Sequence, residues 1–245
     1  MAEWSDPRAT QTGAGVTING ETLGSVAIDQ GLRSHMLKVY NYMASGVLLT
    51  GIVAMLFAQS GLALQVLSTP LRWVLMFAPL GFIMVMSFGF NRLSQTALQA
   101  LFWAFATVMG LSMASIFLVF TGSSIATTFF VTAAAFAGLS LFGYTTKKDL
   151  TGWGSFLIMG VIGLFVASIV NLFLGSSTLQ LVVSFLGVLI FAGLTAYDTQ
   201  RIKSEYLHFR GHESLGKLAI MSALNLYLDF VNMFQFLLSF LGSRD

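Results

Sequence analysis

Residues 179–203 read LQLVVSFLGVLIFAGLTAYDTQRIK. No charge falls before Asp198, and about 20 apolar residues suffice to cross a bilayer. A backbone in lipid must satisfy its own hydrogen bonds, so the stretch is a helix, expected from Leu179 to about Lys203. Residues 216–241 read GKLAIMSALNLYLDFVNMFQFLLSFL, a second helix with Asp229 inside it. Each segment thus sets one aspartate into or beside hydrocarbon. A carboxylate at that depth costs about 2.5–3.5 kcal/mol. A chain that carries two is expected to use them, and the rest of the sequence reads as their housing.

Composition agrees. Of 245 residues, 56% are hydrophobic and 9% charged, where soluble domains carry about 25% charged residues. The chain is expected to be an all-α integral membrane protein. The net charge of +2 and the absence of a long basic patch speak against nucleic acid. There is no Cys, which excludes a disulfide framework and a thiolate metal site. Residues 1–34 are polar and lack the apolar core of a signal peptide. They read as a disordered cytoplasmic tail, ahead of a seven-helix transmembrane domain over residues 35–245.

Seven apolar stretches are long enough to span: Val39–Gln59, Arg72–Phe90, Ala97–Phe120, Ile125–Tyr144, Phe156–Leu174, Leu179–Tyr197 and Leu218–Phe240. Pro70 suits a helix start, and Pro79 is expected to kink the second helix. Gly110 with Ala114, and Ala133–Ala135 with Ala137 and Gly138, are small residues that let helices approach closely. With seven spans and the N-terminus inside, ten of the twelve Lys and Arg lie on the cytoplasmic side. Arg72 and Arg244 lie on the other. The positive-inside rule then predicts a cytoplasmic N-terminus and an external C-terminus.

Of ten acids, eight fall in tails or cytoplasmic loops, and only Asp198 and Asp229 sit against apolar helices. Asp229 lies 12 residues past Lys217, about 18 Å of helix. The two carboxylates reach similar depth if the first turns of the last helix stand in the cytosol. Asn225 and Asn232, four before and three after Asp229, share its face. A polar stripe of this kind faces protein or water, so the last helix is expected to be central and these Asn to line a path. Two carboxylates in reach of each other titrate as a pair, because like charges in low dielectric resist joint ionisation. Arg92, directly behind Phe88-Gly89-Phe90-Asn91, is a candidate latch on one acid, or a positive-inside anchor. The alternative for Asp198 alone is an interfacial acid paired with Arg201 one turn on. His208 and His212, with Glu205 and Glu213, stand in an exposed loop interrupted by Gly211, a poor metal site.

The segments Ala196-Tyr197-Asp198-Thr199-Gln200-Arg201-Ile202-Lys203 and Ala223-Leu224-Asn225-Leu226-Tyr227-Leu228-Asp229-Phe230-Val231-Asn232-Met233-Phe234 resemble the Bax inhibitor-1 family, in its bacterial branch. Lys147-Lys148-Asp149-Leu150 and Val39-Tyr40-Asn41-Tyr42-Met43 fit as well, and the resemblance covers about residues 29–241. It implies seven helices with the last surrounded by the other six. It also implies a pH-sensitive leak of calcium through the membrane, here that of a bacterial inner membrane. An aspartate pair matching Asp198 and Asp229 is implied as the gate, and an arginine matching Arg92 as its latch. Relatives are also linked to regulation of membrane proteases.

Three readings follow. The first is a cation leak for Ca²⁺, with no cofactor, in which Asp198 and Asp229 hold the ion weakly and transiently. Ca²⁺ takes six to eight oxygens, and two carboxylates with Asn and backbone oxygens suit passage better than storage. The second is a regulator of a membrane protease that uses the tail Met1–Ser34. The third is an intramembrane aspartyl protease. Leu226-Tyr227-Leu228-Asp229 stands where such enzymes have Gly-x-Gly-Asp, which argues against that reading and against an enzyme.

Overall fold

The computed structural model describes residues 17–18 and 21–244, with side chains from Gln30. Thr17–Ile18 (β1) and Glu21–Thr22 (β2) pair antiparallel over two residues. Everything else of substance is helix. In order come α1 (Leu23–Gln59), α2 (Leu62–Leu67), α3 (Leu71–Gly89), α4 (Gln95–Met113) and α5 (Ile116–Val119). Then follow α6 (Gly122–Thr145), α7 (Thr151–Leu174), α8 (Ser177–Phe209) and α9 (Leu215–Leu241). Seven segments are long and apolar enough to cross a membrane, with α4 and α5 together making the third. The chain is an all-α integral membrane protein.

The helices alternate in direction, and contacts between their ends fix the two poles. At one pole Lys217 donates to the carbonyl of Phe90 at 3.4 Å. There too the Leu150 N–H donates to Gln200 Oε1 at 2.8 Å, and Gln200 Nε2 donates to the Lys148 carbonyl. At the other pole Phe120 bridges to Arg244, and the Thr121 N–H donates to the Ser243 carbonyl.

Burial separates an inner helix from outer ones. Half of the apolar stretch of α9 is buried, against 11% for α3 and α7. α9 packs chiefly on α8, α1, α6 and α4; α3 leans on α4, and α7 on α8. The expected ring of six around the last helix is therefore not seen: four helices pack chiefly on α9, and α3 and α7 pack on those instead. Their outward faces carry Trp73, Phe77, Phe156, Met159, Phe165 and Phe173, all exposed, as a lipid-facing surface requires.

In lipid, helices associate by close packing rather than by escape from water. At Gly143 of α6 the backbone of Ala196 lies so near that a Cβ would collide with its carbonyl. This contact draws α6 onto α8 beside the acidic residue of α8. Tyr227, fully buried on α9, places its ring edge-on to Phe105 at 5.2 Å. Its hydroxyl meets Thr50 Oγ1 at 2.6 Å, and Thr50 donates onward to the Ala106 carbonyl at 2.8 Å. The polar tip of the ring is thereby satisfied inside the bundle.

Three expectations change. The first helix starts at Leu23, inside the segment 1–34 expected to be a tail. Leu32, His35, Met36 and Val39 recur at helical spacing and are buried, which extends the helix below the apolar stretch. Residues 1–16 and 19–20 lie outside the described part, and with them most of that expectation. The third span breaks after Met113, between α4 and α5. Finally, α8 runs to Phe209 rather than Lys203, so only residues 210–214 join it to α9.

Candidate functional site

The pairing of α8 with α9 builds the site, and that pair is the most extensively packed in the molecule. Asp198 lies 11 residues before Phe209, about 17 Å along α8, and Asp229 lies 14 residues after Leu215, about 21 Å along α9. The short connection therefore brings the two acids to similar depth. Both are buried, 6% and 4% exposed, and each carboxyl is near enough to influence the other. Asp229 Oδ2 is buried and has no hydrogen-bond partner among the described residues.

One cation reaches the pair. Arg201 Nη1 stands 3.3 Å from Asp198 Oδ1, one turn on in the same helix. Its Nε stands 3.1 Å from Glu205 Oε1 but not along the N–H direction, so that contact is an ion pair without an aligned hydrogen bond. From α9, Ser222 Oγ donates to Glu205 Oε2 at 3.4 Å. Glu205 is seven residues beyond Asp198, and Ser222 seven before Asp229. The antiparallel register thus stacks two levels, the aspartates above and Glu205 with Ser222 two turns below, with Arg201 between.

A second polar chain approaches from the side. Tyr40 of α1 meets Ser140 of α6 at 2.8 Å, and Ser140 meets Thr199 of α8 at 2.9 Å. Thr199 also donates to the Thr195 carbonyl of its own helix at 2.8 Å. Thr199 adjoins Asp198 in sequence, so this chain ties three helices together at the level of the acids.

The structure therefore unites Asp198 and Asp229 and treats the other expected residues differently. Arg92 is exposed in the turn after α3 and forms no ion pair with any described residue. The cation on Asp198 is Arg201, because the i,i+3 spacing on one helix delivers it without any movement of α3. Asn225 and Asn232 are half-buried. Asn232 Nδ2 donates to the Leu228 carbonyl of its own helix at 2.8 Å, so that amide is occupied by the backbone. Glu205 and Ser222 are additions. Their signal in the sequence was the series Asp198, Arg201, Glu205 at helical spacing, visible once α8 is known to continue past Lys203.

Chemically, two carboxyls meet where charge is costly, and one guanidinium serves them and a third, more exposed carboxylate. Like charges this close and out of water resist joint ionisation. No group of three or more His, Cys, Asp and Glu among the described residues is arranged to hold a metal ion. His208 lies on α8 and His212 in the turn after it. The donor set at the pair falls short of the six to eight oxygens of a resident Ca²⁺.

Comparison with known proteins places this arrangement among others. A family profile described as inhibitor of apoptosis-promoting Bax1 matches residues 32–245. The chain is 47% identical to protein RP147 of Rickettsia prowazekii over 218 residues, 88% of this chain and 92% of that protein. It is 48% identical over 231 residues to a protein of Caulobacter vibrioides, 89% of this chain and 92% of the relative. It is 43% identical to the inner membrane protein YbhL of Escherichia coli K12 over 218 residues, 87% and 93% of the two chains.

Proposed function

This chain belongs to the Bax inhibitor-1 family, and we propose that it is a pH-sensitive leak for Ca²⁺ or a similar cation, gated by Asp198 and Asp229 and without enzymatic activity. The observation that carries the reading is the meeting of two buried acids from α8 and α9, one oxygen of which has no partner. When the pair shares a proton and Arg201 holds Asp198, the pair's residual charge faces the guanidinium that also serves the more exposed Glu205, and the helices stay together. Loss of that proton leaves two carboxylates against one arginine. Their repulsion favours separation of α8 from α9, and the freed oxygens then offer a weak cation site along the opened seam. Acid closes the path and alkali opens it.

The name of the Escherichia coli relative supports the inner membrane of a bacterium as the location. The charge asymmetry supports a cytoplasmic N-terminus. Arg33, Lys38, Arg92, Lys147, Lys148, Arg201, Lys203, Arg210 and Lys217 belong to the pole of the α8–α9 connection, and Arg72 and Arg244 to the other. The protease reading gains nothing from the site. Leu226, Tyr227 and Leu228 precede Asp229, and the fully buried Tyr227 ring leaves no open backbone for a substrate strand.

The test is flux. Purified protein in liposomes loaded with a Ca²⁺ indicator is expected to admit Ca²⁺ faster than empty liposomes, with the excess rising from acidic to alkaline pH. Substitution of K⁺ or Mg²⁺ for Ca²⁺ defines the selectivity. Flux equal to that of empty liposomes at every pH would remove the proposal.

A further inference from the structure

Between α1 and α6 runs a groove of about 820 Å³ that the leak does not use. The two helices do not pack along their length; they meet across it through the Tyr40–Ser140 contact. Its walls are apolar, with Met43 and Val47 on one side, Ala133 and Ala137 on the other, and Phe230 of α9 as the floor. The rim residues Leu37, Leu48 and Leu141 are exposed, so the groove opens sideways toward hydrocarbon. A bare apolar slot in a membrane does not stay empty, since lipid tails are its solvent.

Its dimensions and charge specify the occupant. Along α1 the lining runs from Arg33 to Leu48. Those 15 steps rise about 22 Å, half of the roughly 40–45 Å of a bilayer with its headgroups. The groove thus covers one leaflet, from headgroup level to midplane. Arg33 is the one cation lining it among the described residues, and it stands at the headgroup end. Lys203 lies close by, donating to the Tyr144 carbonyl at 3.2 Å. We infer that the groove between α1 and α6 holds an acyl chain of an anionic phospholipid whose phosphate is bound by Arg33.

The position of this lipid is not incidental. Phe230, its floor, follows Asp229, and Ser140, in its wall, hydrogen-bonds to Thr199 beside Asp198. The groove thus touches residues linked to each acid, although neither aspartate lines it. The inference is independent of which ion, if any, the protein passes.

Native mass spectrometry of delipidated protein titrated with phosphatidylglycerol, phosphatidylcholine or palmitate tests it. Phosphatidylglycerol is expected to bind about fivefold more tightly than phosphatidylcholine, the factor that one cation at an anionic headgroup provides. Arg33→Gln is expected to erase that preference and leave chain binding intact. Ala137→Trp, and independently Ala44→Phe on the facing wall, are expected to abolish the tight site while the protein remains monodisperse with an unchanged helical spectrum. Equal binding of the two phospholipids to the unmodified protein would overturn the inference. So would an unaltered tight site in either well-folded filling variant, or palmitate binding as tightly as phosphatidylglycerol.

Discussion

Arg201 Nη1 lies 3.3 Å from Asp198 Oδ1, and no other described cation comes within 4 Å of either Asp198 or Asp229. The residue that holds the acid pair is therefore on the same helix as one of the acids. A latch from α3 would need that helix to move. A latch on α8 needs only a change of side-chain conformation.

Arg201→Gln is accordingly expected to do two things. It removes the partner of a buried carboxylate, which destabilises by about 1–2 kcal/mol once the partial exposure of the guanidinium is discounted. It also shifts the pH response of Ca²⁺ flux. Arg92→Gln, at an exposed residue, is expected to leave both unchanged. Thermal melts and flux profiles of the two variants decide between the arginines.

Tyr227→Phe deletes a hydroxyl whose partner is Thr50 Oγ1 at 2.6 Å. Thr50 keeps its bond to the Ala106 carbonyl, so the loss is one buried hydrogen bond, about 1 kcal/mol. Thr50→Val removes both of its bonds and leaves the buried Tyr227 hydroxyl unpaired, so it should cost more, and the double variant should cost less than the sum, because the two share one contact. Denaturation in detergent measures this.

Gly143→Val puts a side chain where the Ala196 carbonyl of α8 lies. Overpacking of this kind costs about 1–3 kcal/mol. Since Ser140, three residues earlier, bonds to Thr199, the variant is expected to perturb the pH response of flux as well. A melt that is unchanged relative to Gly143 would contradict the close approach of α6 and α8.

Asp149 precedes α7, and its Oδ1 accepts the Thr151 N–H at 2.9 Å. These hydrogen bonds from Thr151 hold its carboxyl below the ordinary range, although it is exposed. A depressed value in the folded state means stability that is present above the ordinary carboxylate value of about 4 and lost as pH falls through the folded value. Asp149→Ala is therefore expected to lower the melting temperature at neutral pH, with the difference vanishing in strong acid.

The spans and the acid pair were legible in the sequence for one reason. Uncharged runs of about 20 residues and a carboxylate inside one of them have few alternative explanations in lipid. The extension of α8 was not legible, because Gln200 to Phe209 is polar enough to read as a loop. It is helix since Ile202 and Tyr206 remain on the buried face. Glu205 and Ser222 were hidden with it. Arg92 looked like a latch because proximity along the sequence to a span says nothing of direction, and its side chain points to solvent. The α1–α6 groove left no trace, since the lining residues are apolar and small residues look alike whether a neighbouring helix fills the space or not.

The central claim is that Asp198 and Asp229 act as one titrating unit that opens the path. It is tested most directly by the pH profile of Ca²⁺ flux in liposomes for Asp198→Asn, Asp229→Asn and the double variant. Each single variant is expected to lose most of the pH response, and the double variant to lose no more than either. A wild-type pH profile in both single variants would contradict the account.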